Sequence, residues 1–138
     1  MNYGAHTLDK IFYTTGLSVK NVHSFVSNPM TEDDVELNAQ ILLELTDGVT
    51  ATLTYSGCHV PNDYDTEFYF TDGVVKVSGG SHLIIYENNE YVNYGGTANL
   101  LEEQLAEFVK FLKDEESEIV TPEYGKEVIA VIEKIYEC

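Results

Sequence analysis

The sequence has no arginine, no tryptophan, only two cysteines and three prolines, and no apolar run near the length of a membrane span. Without arginine it lacks the planar fork that grips phosphates and base edges, and seven lysines stand against 24 acidic residues for a formal charge of −17. Nucleic acid and anionic membrane are therefore poor partners. The same field disfavours polyphosphate ligands unless helix termini or backbone amides compensate locally, so neutral sugars or polyols suit it better. Cys138 is the last residue, where a disulfide to Cys58 would staple little, and both are expected as free thiols. No basic-then-apolar leader follows Met1, and the expected compartment is the cytoplasm.

What is present argues for a folded protein. Apolar residues make up 43% of the 138, including ten tyrosines and six phenylalanines, enough for the core of one domain over residues 1–138. Leu8, Ile11 and Phe12 recur at helical spacing between Gly4 and Thr15, and Gly16 suits a helix C-terminus. Ser18 to Ser27 reads as a strand. From Val35 to Leu45 apolar and polar residues alternate, with Leu42 as the exception on the polar side, and the alternation resumes from Val49 to Tyr55. Asp47-Gly48 between them supplies the positive φ angles of a two-residue type I′ hairpin turn. The device recurs at Asp72-Gly73 and, more loosely, at Asn88-Asn89, predicting three successive hairpins.

Two helices follow. Leu101, Leu105, Phe108 and Leu112 form an apolar stripe on the first, which starts at Asn99 with Glu102 in capping-box register. Thr121 and Pro122 open the second, with Val128, Val131, Ile132 and Ile135 as its buried face. The expected fold is α+β, an open-faced and mainly antiparallel sheet with helices packed on one face.

Chemistry concentrates at the N-terminus, in MNYGAHTLDK. An imidazole with an ordinary titration range accepts and donates protons at neutral pH, as alcohol oxidation or carbonyl reduction requires beside hydride transfer, which makes His6 the first candidate. Asp9 shares its helical face. On residue types alone, a lone histidine and a helical aspartate more often serve structure than catalysis.

The segment Gly4-Ala5-His6-Thr7-Leu8-Asp9 resembles the motif that opens the second domain of Gfo/Idh/MocA oxidoreductases. The likeness continues through Gly16, Val19 and Val22, the stretch Thr31 to Gly48 with its threonine-rich partner strand, Glu107-Phe108, and a last helix with Gly125 and Val128. It implies a C-terminal domain resembling that of dihydrodipicolinate reductase, with His6 as catalytic proton-transfer residue and Asn2 and Tyr3 near substrate. It further implies NAD or NADP in the parent protein, a sugar or polyol substrate, and a homodimer formed through the open sheet face. Many family members carry aspartate four residues before the histidine, where this chain has Asn2; an amide orients an imidazole but does not stabilise imidazolium as a carboxylate does. No GxGxxG occurs, so the nucleotide-binding Rossmann domain is expected outside this chain and the chain alone is expected to be inactive and to bind no cofactor.

Lesser candidates favour plain structure: Gly95-Gly96-Thr97 as a turn rather than an anion cradle, Cys58-His59 short of a metal site, His23 and His82 as incidental, and Asp114 to Glu118 as a solvated loop rather than a calcium loop. The competing functional reading is a stand-alone binding or dimerisation module of the same layout.

Overall fold

A computed structural model describes residues 2–28, 36–57, 65–79, 82–95, 99–118 and 120–137. The chain forms two compact units, Met1–His59 with Val120–Cys138, and Val60–Ile119. The first holds α1 (Asn2–Thr15), β1 (Val19–Ser27), β2 (Asn38–Leu45), β3 (Thr50–Ser56) and α3 (Pro122–Glu137). The second holds β4 (Asp65–Phe70), β5 (Gly73–Ser78), β6 (His82–Glu87), β7 (Glu90–Gly95) and α2 (Leu100–Leu112). Both sheets are antiparallel throughout, in the orders β1-β2-β3 and β4-β5-β6-β7, so the chain is α+β as expected.

In the first unit the alternation of β2 sends Ala39, Ile41, Leu43 and Leu45 to one face, joined by Leu53 of β3, and all are buried. Leu8, Ile11 and Phe12 of α1 and Val128, Val131 and Ile135 of α3 close over that face. Leu8, Leu43, Leu45 and Ile135 are the largest fully buried side chains. Truncating any of them leaves a cavity in a close-packed layer, a change that costs about 2–5 kcal/mol. Two polar ties fasten the far end of α3: Ser24 Oγ donates to Ile135 O at 2.5 Å, and the Tyr136 hydroxyl donates to Glu36 Oε2 at 2.5 Å. Helix α1 stops as its sequence requires, at Gly16 with φ 66° and its N–H bonded to Phe12 O at 2.8 Å.

The hairpins differ in detail from the sequence reading. Asp47 and Gly48 do take positive φ, 58° and 75°. The register Glu44↔Thr50, with Leu45 N–H donating to Val49 O, nevertheless places Thr46, Asp47 and Gly48 all in the connection. At the second hairpin Phe70 pairs with Gly73, so the turn is Thr71-Asp72 and the glycine belongs to the strand. The reason lies on the neighbouring strand: a Cβ at Gly73 would stand 2.7 Å from Tyr86 O, so only glycine fits there. The weakest sequence signal gives the type I′ pattern, with Asn88 and Asn89 at φ 51° and 65° between paired Glu87 and Glu90.

The helix ends and faces match the expectation for α3 and depart from it for α2. Thr121 caps α3, its Oγ1 accepting from Tyr124 N–H at 3.3 Å, and the expected face is buried at Val128, Val131 and Ile135. Asn99 stands at the N-cap of α2, but its side chain makes no capping bond. The α2 stripe is exposed, with Leu101 at 78% and Leu105 at 62%; periodicity marks an apolar face without supplying its cover.

Replacing Gly73 by alanine should lower stability by about 1–3 kcal/mol, because the added methyl forces β5 and β6 apart. Guanidinium titration of the intact protein measures this, and an unchanged midpoint would contradict the close approach.

Candidate functional site

The site is a consequence of helix phase. With Leu8, Ile11 and Phe12 turned into the core, the opposite side of α1 carries His6 to an exposed position and Asp9 to a half-buried one. Both line an open groove of about 680 Å³ whose other wall is the start of α3, with Tyr124, Gly125 and Lys126. Apolar side chains such as Val128 and Ile129 give it a greasy floor, and Glu133 adds a second carboxylate. The groove is thus amphipathic: apolar surface below, a few convergent hydrogen-bonding groups at the rim.

One contact ties its two walls together. The Tyr124 hydroxyl lies 2.8 Å from Asp9 Oδ1 and 3.0 Å from Asp9 O, donating to the aspartate. Burial pushes the Tyr124 phenol up to about 12, and the Asp9 carboxylate it serves reinforces the shift. Tyr136 is likewise held at about 12, first by burial and then by its bond to Glu36. Gly125 leaves the groove open beside these groups, since a Cβ there would meet nothing within 4 Å.

Of the residues singled out by sequence, His6 and Asp9 come together on this groove. Asn2 and Tyr3 begin the same helix, but their side chains lie outside the described residues, as do Cys58, His59, Gly96 and Thr97. His23 is exposed on β1, where it pairs across the strands with Leu42, and His82 opens β6. Sequence reasoning missed Tyr124. Its nearest signal was the Thr121-Pro122 helix start, which predicts a turn of helix and says nothing of what that turn touches. No group of three or more His, Cys, Asp or Glu able to hold a metal occurs among the described residues, and no described helix is long and apolar enough to cross a membrane.

Both phenols titrate higher in the folded chain than the ordinary 10.0, so the folded state favours their protonated forms. The stability they confer is whole below pH 10.0 and is lost as pH rises toward about 12, because the unfolded chain releases these protons first. Urea unfolding between pH 8 and pH 12 should therefore show a steeper alkaline loss in wild type than in the Tyr124→Phe, Tyr136→Phe double variant; identical slopes would refute the shifts.

The profile of the GFO/IDH/MocA C-terminal domain matches residues 1–76. No curated protein sequence matches the chain. Among solved structures it is similar to UDP-N-acetylglucosamine 3-dehydrogenase from Acidithiobacillus ferrooxidans, with 17% identity, TM-score 0.86 and coverage of 96% of this chain and 44% of that one. It is also similar to aldose-aldose oxidoreductase from Caulobacter crescentus complexed with glycerol, with 20% identity, TM-score 0.81 and coverage of 97% and 43%. A third is the WlbA dehydrogenase from Bordetella pertussis in complex with NADH and UDP-GlcNAcA, with 17% identity, TM-score 0.75 and coverage of 99% and 41%. The chain spans less than half the length of each of these proteins. At such identities the structures speak for the fold alone, and the fold agrees with the matched profile and with the opening Gly4-Ala5-His6 motif. The chain belongs to the GFO/IDH/MocA C-terminal domain family.

Proposed function

We propose that this chain is the substrate-binding and oligomerisation domain of an NAD- or NADP-dependent oxidoreductase acting on a hydroxyl or carbonyl group of a sugar, polyol or related compound. The observation that carries this reading is the exposed His6 beside Asp9 on an open groove, at the opening motif of a chain in this family. The neighbours named above include a sugar-nucleotide dehydrogenase, an aldose oxidoreductase holding glycerol and a dehydrogenase holding NADH, which supports the same class of substrate and cofactor.

The groove suits a neutral hydroxylated ligand. Asp9 and Glu133 accept hydrogen bonds from hydroxyl groups, the apolar floor packs against carbon–hydrogen faces, and His6 exchanges a proton with the reacting oxygen. Asn2 and Tyr3, in the first turn of the same helix, are assigned to substrate contact. The pyrophosphate of a nicotinamide dinucleotide does not fit this groove, because two carboxylates line it beside the single ammonium of Lys126. The cofactor is assigned to a separate nucleotide-binding domain, and without that domain the chain has no turnover. The scarcity of cysteine fits a cytoplasmic setting.

The uncovered face of the β1–β3 sheet supports the oligomerisation role. Phe25 is 68% exposed and Leu42 47%, in rows with His23, Gln40, Thr52 and Thr54 that hold no lysine, aspartate or glutamate. In a chain so acidic, such a face suits a second copy of itself. Sedimentation of the intact protein should give a dimer that Phe25→Glu with Leu42→Glu converts to monomer; a wild-type monomer at micromolar concentration would defeat this role.

In the intact protein, His6→Ala should cut nicotinamide-dependent turnover by about a hundredfold or more, the usual worth of a positioned acid–base group. Undiminished turnover removes His6 from the mechanism. Gly125→Leu, which fills the groove, should raise KM with little effect on thermal stability; unchanged KM would place the ligand elsewhere.

A further inference from the structure

We infer that Tyr124 is a positioning residue for the His6 site, acting through the carboxylate of Asp9; this rests on the reading of His6 given above. Three observations lead to it. The first concerns what position 2 lacks: Asn2 cannot supply a carboxylate to the imidazole, whereas Asp9 stands one helical turn after His6 on the same side of α1 and lines the same groove. The second is the way Asp9 is held. Tyr124 engages Oδ1 at 2.8 Å, and Oδ2 has no hydrogen-bond partner among the described residues, so the carboxylate keeps one fixed oxygen and one acceptor for a ligand hydroxyl or for His6.

The third is where the phenol sits on α1. Its oxygen meets Asp9 O at 3.0 Å as well as Asp9 Oδ1, so it grips the backbone and the side chain of one residue of α1 together. Tyr124 is thereby registered against one particular turn of α1, the turn that follows His6. On its own side it is fixed by the cap of α3, its N–H bonded to Thr121 Oγ1 at 3.3 Å, while its ring packs against the core. Ring and hydroxyl have separable roles. The ring closes the hydrophobic layer, and the hydroxyl sets the rotamer of Asp9. A free aspartate on an exposed helix samples several staggered rotamers, and holding one of them aligned is the kind of preorganisation on which turnover depends.

The test separates the two roles. The intact protein is prepared with 13C-labelled histidine, in wild type, Tyr124→Phe, Asp9→Asn and the double variant, with His6→Gln to assign the His6 ring signals. Tyr124→Phe keeps the ring. The expected result is that Tyr124→Phe and Asp9→Asn each move the His6 ring resonances while those of His23 and His82 stay, and that the double variant gives the spectrum of Asp9→Asn alone. Turnover follows the same pattern: kcat falls about tenfold in each single variant with KM changed less, and the second substitution adds nothing. Unmoved His6 resonances and unchanged kcat in Tyr124→Phe, with only a lower melting temperature, would overturn the inference and leave Tyr124 a packing residue. A wild-type protein without nicotinamide-dependent turnover would defeat the oxidoreductase reading, and the ring resonances would still decide the link from Tyr124 to His6.

Discussion

The packing of α1 against the β1–β3 sheet is the constraint from which the site follows. Leu8 has no solvent exposure and meets a face that includes fully buried Leu43 and Leu45, so α1 cannot rotate about its axis without pulling apolar surface into water. Each of those side chains contributes about 1.5–3 kcal/mol when buried, far more than a surface histidine or aspartate could oppose. The phase of the helix is therefore set by Leu8, Ile11 and Phe12, and the positions of His6 and Asp9 follow from it. Helix α3 completes the arrangement from the other side. Its Val128, Val131 and Ile135 seal the same sheet face, and this brings its first turn, with Tyr124 and Gly125, alongside the outward side of α1.

Charge shapes what such a groove can hold. Lys20 is engaged by Glu44, Lys76 by Asp65 and Glu67, and Lys110 by Glu107, all at or near the surface, where such pairs add little to stability but do neutralise the cation. At the groove the carboxylates of Asp9 and Glu133 stand beside the ammonium of Lys126. The second unit is built on different terms. None of its described residues is fully buried; its four strands rest on half-buried valine, isoleucine and leucine, on the Lys76 network with Asp65 and Glu67, and on turns that take the sharp conformations glycine and asparagine permit.

Much of the fold could be read from the sequence because local pattern and tertiary demand agree. The period-two alternation of β2 and β3 survives as buried and exposed rows, and the Thr121-Pro122 start of α3 is realised with its expected face inward. The misreadings come where a nonlocal neighbour decides. Asp72-Gly73 carries the composition of a hairpin turn, yet Tyr86 O, thirteen positions on, requires the glycine in the strand and shifts the turn by one residue. The apolar stripe of α2 has the right period, but period is a property of one helix and cover is a property of two surfaces. For the site, His6 was singled out through the resemblance of Gly4 to Asp9 to a known motif, and it stands exposed on the groove. Tyr124 was not legible, because its contact with Asp9 joins residues 115 positions apart and no short motif encodes it.

The function proposed for this member of the GFO/IDH/MocA C-terminal domain family makes one physical claim: a ligand oxygen meets the imidazole of His6 on the outward side of α1. A crystal structure of the intact protein with a nicotinamide dinucleotide and a bound sugar or polyol tests that claim directly. The account predicts a ligand hydroxyl within hydrogen-bond distance of a His6 ring nitrogen and a second one on Asp9 or Glu133. A ligand bound away from α1, with His6 facing bulk water in the ternary complex, would contradict it.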